Sequence, residues 1–199
     1  MDAICIEEAQ DMKRKILKES IHLFDSKGFK ETSIQDIVDK LGVTKGTFYY
    51  YFNSKQEVLR DIHLAYLEGL LEEQQKIFKD NSVTYKEKLY KIIYLINSKI
   101  DTQGKDARIV FREMRHLTEE QMNQIKQKRK EFRLIFQQIL EEGKISGEFK
   151  DNIRTDIIAF GVLGMLNRNY YWFKPEGEVS DTELSELYLE MILNGISNE

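Results

Sequence analysis

The stretch that decides the fold is residues 32–59, TSIQDIVDKLGVTKGTFYYYFNSKQEVL. Its first part carries four apolar residues at positions i, i+3, i+4 and i+7, which are Ile34, Ile37, Val38 and Leu41. This spacing places all four on one stripe of a short helix. Gly42 follows directly and can adopt the positive φ that ends a helix, and Thr44 is a residue type that caps the next one. The stretch therefore predicts two short helices joined by a tight turn.

The second of these helices is predicted to bury one side and expose the other. Phe48 and Phe52 lie four residues apart and would pin one side to the body of the protein. The positions left for contact are Lys45, Gly46, Thr47, Tyr49 and Tyr50, with Tyr51 either contacting or packing. A helix of this kind behind a tight turn is what a helix-turn-helix needs in order to enter the major groove of DNA.

Each residue type on that side suggests a role against DNA. Gly46 has no side chain, so a base or the DNA backbone can approach closely. Lys45 and Lys55 can pair with phosphates, and the tyrosine hydroxyls can donate to phosphate oxygens. We expect Thr47 and Lys45 to carry most of the base readout.

The charge of the chain supports this interpretation only when it is divided along the sequence. The whole chain has a formal net charge of −4, which by itself argues against a nucleic-acid partner. From Lys13 to Lys55, however, nine Lys/Arg residues stand against five Asp/Glu residues, a balance of +4. A locally positive segment on an acidic body is compatible with phosphate binding.

The rest of the chain is predicted to be helical. Its one proline, Pro175, leaves nearly the whole length free of helix breaks. Five capping-box patterns precede apolar runs of helical period, and they span 32–35, 54–57, 84–87, 118–121 and 180–183. We predict an all-α fold of about nine helices, near 8–27, 33–40, 44–51, 54–79, 83–101, 106–115, 118–142, 152–172 and 180–196. The domains are residues 1–56, a three-helix helix-turn-helix unit, and residues 57–199, a helical bundle.

The N-terminal segment resembles the TetR family of bacterial regulators over about residues 12–60. The signature reads Ile16, Phe24, Gly28-Phe29, then TSIQDI from Thr32 and GVTKGTFYYYFNSK over 42–55. With the helix pattern, this resemblance gives as candidate DNA contacts Thr32, Ser33, Thr44, Lys45, Gly46, Thr47, Tyr49, Tyr50, Tyr51 and Lys55. Tyr51 departs from the family, since many members have His there, so it either contacts phosphate or only packs.

Two other interpretations remain open. The TFYYYF run could be a buried aromatic cluster of a helical bundle, although three tyrosines beside a lysine and a glycine fit a core poorly. The chain could also be a helical protein-interaction module that keeps the helix-turn-helix shape without binding DNA. A salt-dependent affinity for duplex DNA separates the second alternative from a regulator.

For the C-terminal part, the resemblance implies a ligand-binding and dimerisation domain whose last two helices form a homodimer interface. Helix 152–172 is apolar almost all round and carries Gly161 and Gly164 on nearly one face, which allows close helix approach. The candidate interface residues are Ile157, Ile158, Gly161, Gly164, Met165, Leu184, Leu187, Tyr188, Met191 and Ile192. An internal core helix of a monomer is the alternative.

The segment 167–180, NRNYYWFKPEGEVS, is similar to a TetR branch that responds to acyl-CoA thioesters. Arg168 stands where an aromatic residue is expected and Tyr171 where a basic one is expected. An acyl-CoA site needs an apolar tunnel with cations at its mouth. The candidate pocket residues are Tyr66, Leu70, Ile93, Ile96, Arg108, Phe111, Arg112, Met114, Arg115, Phe132, Phe136, Leu163, Asn167, Arg168 and Tyr170. Each apolar member could equally be plain core, and 172–175 an ordinary aromatic stop between helices.

Catalysis, a metal and a cofactor are not expected. Glu113 and His116 form one E-x-x-H pair, but a di-iron site needs a second copy. The single cysteine, Cys5, lies in an N-terminal stretch that we expect to be a disordered tail, and it excludes an intrachain disulfide. We expect a cytoplasmic regulator with duplex DNA, itself and a small effector as partners, and no membrane.

Overall fold

The structure is a computed structural model that describes residues 3–197, without the side chains of residues 3–10, 101 and 102. Within this range it is all-α, as predicted, with one isolated bridge between Phe149 and Ser197 and no strand. The helices are α1 Ala3–Lys27, α2 Ile34–Leu41, α3 Lys45–Tyr51, α4 Lys55–Lys79, α5 Tyr85–Arg112, α6 Glu119–Ile145, α7 Thr155–Leu166, α8 Asn169–Trp172 and α9 Asp181–Ile196, with a 3-10 turn at Met114–His116. The side chain of Cys5 lies outside the described residues.

The capping predictions hold in part. At Ser54 and Ser180 the hydroxyl accepts from the backbone N–H of Glu57 and of Glu183, but the Glu57 carboxylate accepts from the backbone N–H of Asn53. Thr84 with Glu87, and Thr118 with Gln121, form both reciprocal hydrogen bonds of a capping box. The box predicted at residues 32–35 was wrong by one residue, because Ser33 and Asp36 form it. The hydroxyl of Thr32 is buried instead.

The predicted helices differ from the structure in three places. The helix predicted from residue 8 begins at Ala3 as α1, so the disordered tail expected around Cys5 was wrong. Helices 83–101 and 106–115 are continuous as α5, with only Gln103 outside helical geometry, at φ −131° and ψ 28°. Helix 152–172 is interrupted at residues 167–168, between α7 and α8. The sequence NRN at 167–169 ends the apolar run there, and asparagine side chains compete with helical backbone hydrogen bonds.

The chain divides into two compact units. The first extends from the N-terminus to Tyr66 and takes in Lys105–Ile125. The second consists of Leu67–Gly104 and the chain from Lys126 onward. Helices α4, α5 and α6 thus each supply residues to both units. The predicted domain boundary after residue 56 stays a prediction.

Each unit has its own apolar core. In the first, α1 to α4 bury Ile16, Phe24, Ile37, Phe48 and Phe52 in one cluster that Ile109 of α5 also joins. In the second, the fully buried residues include Leu89, Ile92, Phe136, Ile139 and Leu140 of α5 and α6. Among the helices that the structure describes, none carries an apolar run long enough to cross a bilayer.

Candidate nucleic-acid interface

Helix α2 begins at a fully formed capping box. The Ser33 hydroxyl accepts from the backbone N–H of Asp36 at 3.1 Å, and the Ser33 backbone N–H donates to the Asp36 carboxylate at 2.8 Å. Lys27 donates to the same carboxylate at 2.9 Å. Hydrogen bonds from Ser33, followed by the one from Lys27, hold the pKa of Asp36 well below its usual range. Because of these bonds, Ser33 caps the start of α2, in addition to any contact that it makes with DNA.

The turn after α2 is tight and depends on glycine. Gly42 has φ 65° and ψ 30°, a left-handed backbone conformation that residues with a side chain rarely adopt. The next backbone N–H, of Val43, donates to the carbonyl of Val38 at 3.0 Å. The turn therefore sets the angle at which α3 leaves α2, as the sequence predicts.

Helix α3 is capped at its start and anchored along one side. The hydroxyl of Thr44 accepts from the backbone N–H of Thr47 at 3.2 Å, and the two threonine hydroxyls lie 3.1 Å apart. Phe48 is fully buried and Phe52 is 2% exposed, with their ring centroids 5.8 Å apart. The inner side of α3 thus belongs to the core of the first unit.

The opposite side of α3 carries four exposed residues in two adjacent rows. Lys45 and Tyr49 form one row, and Gly46 and Tyr50 form the other, each pair four residues apart. Tyr49 is 53% exposed and Tyr50 is 78% exposed. A cation, a position without a side chain and two phenolic hydroxyls therefore share one outer surface, which we call the α3 outer face.

Three predicted contact residues lie elsewhere. Thr32 is 1% exposed, and its hydroxyl donates to the carbonyls of Gly28 at 2.8 Å and Leu23 at 3.3 Å. Tyr51 packs partly buried against the core cluster. The ammonium of Lys55 donates to backbone carbonyls between α1 and α2. Side-chain burial, which a family signature does not contain, sets these three apart from the α3 outer face.

The predicted pocket residues are divided between the two units. The first unit holds Tyr66, Arg108, Phe111, Arg112, Met114 and Arg115, and the second holds Leu70, Ile93, Ile96, Phe132, Phe136, Leu163, Asn167, Arg168 and Tyr170. Arg112, Arg115, Asn167 and Arg168 are exposed. The guanidinium of Arg168 lies 4.0 Å from the ring centroid of Tyr171, which is 57% exposed, next to the half-exposed Trp172.

Arg108 differs from the other predicted cations. Its Nε and Nη2 each donate to a carboxylate oxygen of Asp25 at 2.8 Å, in a bidentate pair between α5 and α1. The hydrogen bond from Arg108 lowers the pKa of Asp25. The guanidinium of Arg108 is thus already paired with a carboxylate. Arg108 connects α5 to α1, in place of the role predicted for it at the entrance of a ligand pocket.

Helices α7 and α9 expose part of the apolar surface predicted for a dimer. Gly161, Gly164, Ile157, Leu187 and Met191 are exposed, the last three to between 51% and 58%. Leu184 and Ile192 are instead 4% and 8% exposed, inside the chain's own core, which places them out of a partner's reach. Helix 152–172, apolar almost all round, is thus only partly covered by its own chain. The list of candidate interface residues missed Phe160, which is 60% exposed.

A buried polar network in the second unit was missed by the sequence analysis. Asn169 donates to Asn97 at 2.7 Å, Asn97 donates to Ser185 at 2.9 Å, and the Tyr188 hydroxyl donates to Asn169 at 2.9 Å. The network joins α8 to α5 and α9 with its hydrogen bonds satisfied. Polar residues inside apolar runs were its only signal, and many such residues are simply exposed.

Gln74 was also missed. It is fully buried in α4, and its Nε2 donates to the carbonyl of Phe132 at 3.0 Å. A carbonyl can only accept, so this bond fixes which way the amide points. Its Oε1 is then a buried acceptor without a hydrogen-bond partner among the described residues. A buried acceptor of this kind is costly unless something else donates to it.

A short helix held by its inner side behind a glycine turn, with a cationic and phenolic outer face, defines a helix-turn-helix DNA-binding protein. Two family models match the chain: "Bacterial regulatory proteins, tetR family" over residues 16–62, and "Tetracyclin repressor-like, C-terminal domain" over residues 82–196. The chain belongs to the TetR family of bacterial transcriptional regulators. This confirms the resemblance seen in the sequence.

Relatives match along nearly the whole chain. The transcriptional repressor KstR2 of Mycolicibacterium smegmatis is 26% identical over 92% of this chain and 89% of its own length. The fatty acid metabolism regulator protein of Bacillus subtilis is 24% identical over 93% of this chain and 95% of its own. A crystal structure of AibR in complex with isovaleryl coenzyme A and operator DNA has a TM-score of 0.79 at 23% identity, covering 90% of this chain and 96% of that one.

The ion pair of Arg108 gives a testable prediction. Arg108→Met is expected to lower the free energy of unfolding by about 1–2 kcal/mol at neutral pH, since it removes two charge-assisted hydrogen bonds from a partly exposed pair. Because Arg108 lowers the pKa of Asp25, the pair stabilises the fold above the unfolded carboxyl pKa of about 3.9. That stabilisation is lost as the pH falls through the lower folded value.

Chemical denaturation of both proteins between pH 3 and pH 7 measures this difference. It should be full at neutral pH and shrink below a pH of about 4. Arg112→Met, which removes an exposed arginine one turn along α5, serves as the control and should change little. An Arg108→Met protein of unaltered stability would contradict the structural role given to Arg108.

Proposed function

We propose that this protein is a homodimeric repressor that binds a roughly palindromic operator and leaves it when a small apolar effector, a fatty acyl-CoA, binds in its C-terminal part. The observation that carries the proposal is the α3 outer face, presented on a helix whose inner side is fixed by Phe48 and Phe52. Its place of action is the cytoplasm, where bacterial DNA lies.

The proposal assigns separate tasks on DNA. Lys45 and Thr47 read base edges. Lys45 also pairs with a phosphate, and Tyr49 and Tyr50 set the register on phosphates. Gly46 lets the duplex approach the helix backbone. Thr47 suits a test of base readout, because an alanine there keeps the backbone N–H that the cap uses and removes only the hydroxyl that lies 3.1 Å from that of Thr44.

Gly46→Ala tests the close approach of DNA. A Cβ built at Gly46 meets nothing nearer than the Thr44 hydroxyl at 3.4 Å, so the protein itself accommodates it. Replacing glycine by alanine inside a helix is expected to add about 0.5–1 kcal/mol of stability. We therefore expect an unchanged or raised melting temperature together with an at least tenfold loss of operator affinity, measured by fluorescence anisotropy.

The matched control is Gly69→Ala in α4, where a Cβ meets nothing within 4 Å. It should give a similar gain in stability with unchanged DNA affinity. If Gly46→Ala bound DNA as tightly as the wild type, the outer face would not be the surface that approaches the duplex.

Thr47→Ala and Tyr49→Phe separate base readout from phosphate positioning. Tyr49→Phe removes one hydroxyl from an exposed ring and should weaken binding to all sequences about equally. Thr47→Ala should change which operator sequence is preferred. Competition among single-base operator variants measures both effects, and an altered sequence preference in Tyr49→Phe would reverse the two roles.

The exposed apolar residues of α7 and α9 support the homodimer. Ile157, Phe160, Leu187 and Met191 are large side chains that one chain leaves more than half exposed. Exposed apolar surface of this kind marks an interaction surface. A two-fold dimer supplies the two recognition helices that a palindromic operator requires.

Three observations support an effector in the C-terminal part. One relative is named for fatty acid metabolism, and AibR was crystallised in complex with isovaleryl coenzyme A and operator DNA. Gln74 holds a buried acceptor that a bound molecule can satisfy. Arg168, Tyr171 and Trp172 form an exposed cationic and aromatic group suited to a nucleotide phosphate and ring. The effector can release DNA only by binding the two dimer states with different affinity.

Titration of the protein–DNA complex with palmitoyl-CoA tests the effector. The DNA upstream of the protein's own gene is the first probe, and free coenzyme A and palmitate are the ligand controls. We expect the thioester to release the DNA, and Arg168→Gln to need at least tenfold more of it. Lys79→Gln, which removes an exposed charge from the second unit, should respond like the wild type. Binding that is indifferent to the thioester would reject acyl-CoA and keep the regulator.

A further inference from the structure

Lys55, the first residue of α4, directs its ammonium group into the protein. The Nζ atom donates to the carbonyl of Phe29 at 2.5 Å, to that of Lys30 at 3.4 Å and to that of Thr32. It also lies 4.4 Å from the ring centroid of Phe29. An ammonium group has three donors, and here three acceptors of one loop surround it. Burial lowers the pKa of Lys55, as expected for a cation withdrawn from water.

The tied loop is itself held firmly. The Thr32 hydroxyl donates to the carbonyls of Gly28 and Leu23, which lie in and just after the last turns of α1. The ring of Phe29 packs edge-on against Phe24, with centroids 5.1 Å apart. Lys55 therefore binds the loop of residues 29–32, which is already fixed to the core.

The position of this contact in the chain determines which segment it constrains. Residues 29–32 lie just before α2, and Lys55 begins α4, with three residues between it and the end of α3. The residues between the two tied points, 33–54, therefore include all of α2, the glycine turn and α3. The Lys55 side chain thus joins the two ends of the segment that contains the helix-turn-helix. Closing such a loop removes conformational freedom from the segment inside it.

We propose that Lys55 is a positioning residue of the DNA reader, which sets the orientation of α2 and α3 through the loop carbonyls and does not pair with a phosphate. This inference rests on the DNA binding proposed above. A lysine that holds the reader and a lysine that binds phosphate differ in one measurable respect. Removing a lysine that pairs with a phosphate reduces the slope of log K against log salt concentration by about 0.9, whereas removing a positioning lysine lowers affinity without changing that slope.

The experiment compares Lys55→Met with Lys45→Met on the α3 outer face. Fluorescence anisotropy with the duplex that the wild type selects from a random-sequence pool is measured at five salt concentrations, and thermal unfolding is measured alongside. For Lys55→Met we expect a melting temperature lower by several degrees, an affinity about tenfold weaker at a temperature where the protein is fully folded, and an unchanged salt slope. For Lys45→Met we expect an unchanged melting temperature and a shallower slope.

Lys55→Gln is the second variant, and it serves if Lys55→Met folds poorly. A glutamine amide keeps two N–H donors for the carbonyls but carries no charge. Partial recovery of affinity over Lys55→Met, at the wild-type slope, supports the proposal.

Two results overturn the proposal. A slope as shallow as that of Lys45→Met would make Lys55 a phosphate contact. Wild-type affinity of folded Lys55→Met with only a lower melting temperature would make Lys55 a stabiliser of the fold alone. A wild-type protein that selects no duplex contradicts the regulator function itself, which is a different failure.

Discussion

The recognition helix α3 has seven residues, Lys45–Tyr51, too few for a helix to be stable alone in water. It exists because Phe48 and Phe52 bury their rings in the core that α1, α2 and α4 share. Truncating either ring costs about 3–5 kcal/mol in comparable cores, which is a large part of the stability of a small domain. The outer face keeps its exposed cation and hydroxyls only because the inner side supplies this energy. Stability and DNA contact are thus placed on opposite sides of two helical turns.

Polar contacts then fix the direction in which this helix points. Ser33 and Asp36 start α2, Gly42 turns the chain, and Thr44 starts α3. Asp25 with Arg108 ties α5 to α1 within the same unit. These bonds are specific in direction, whereas apolar burial is not. The core makes the unit stable, and the polar bonds make its geometry definite enough to match a groove.

The helix-turn-helix could be predicted from the sequence because the residues that define it are close together in the chain. The stripe of α2, the glycine turn and the pair Phe48 and Phe52 are set by spacing along the chain, and the structure has them where they were expected. The predictions were less successful where a side chain's partner lies far away in the sequence. Lys55 meets a loop 23 to 26 residues before it, and Arg108 meets a carboxylate 83 residues before it. Neither partner can be found by periodicity.

The C-terminal part shows a second limit. An apolar residue of a helical stripe, such as Leu184 or Leu187, has the same sequence signal whether it is buried in its own chain or exposed for another. The structure separates them, with Leu184 at 4% exposed and Leu187 at 51%. Polar residues are equally ambiguous, since Asn169 is buried in a network while Asn167, two positions earlier, is exposed. Fold class follows from pattern, but the role of each residue follows from packing.

The most direct test of the account is a selection of duplexes from a random-sequence pool by the purified wild-type protein. The account predicts enrichment of a palindrome whose two half-sites are separated by about 10 base pairs or a multiple of that spacing, as two recognition helices on one dimer require. Enrichment of a single unrepeated site would contradict recognition of DNA by a dimer. No enrichment, with no salt-dependent affinity for duplex DNA, would contradict DNA recognition by the α3 outer face altogether.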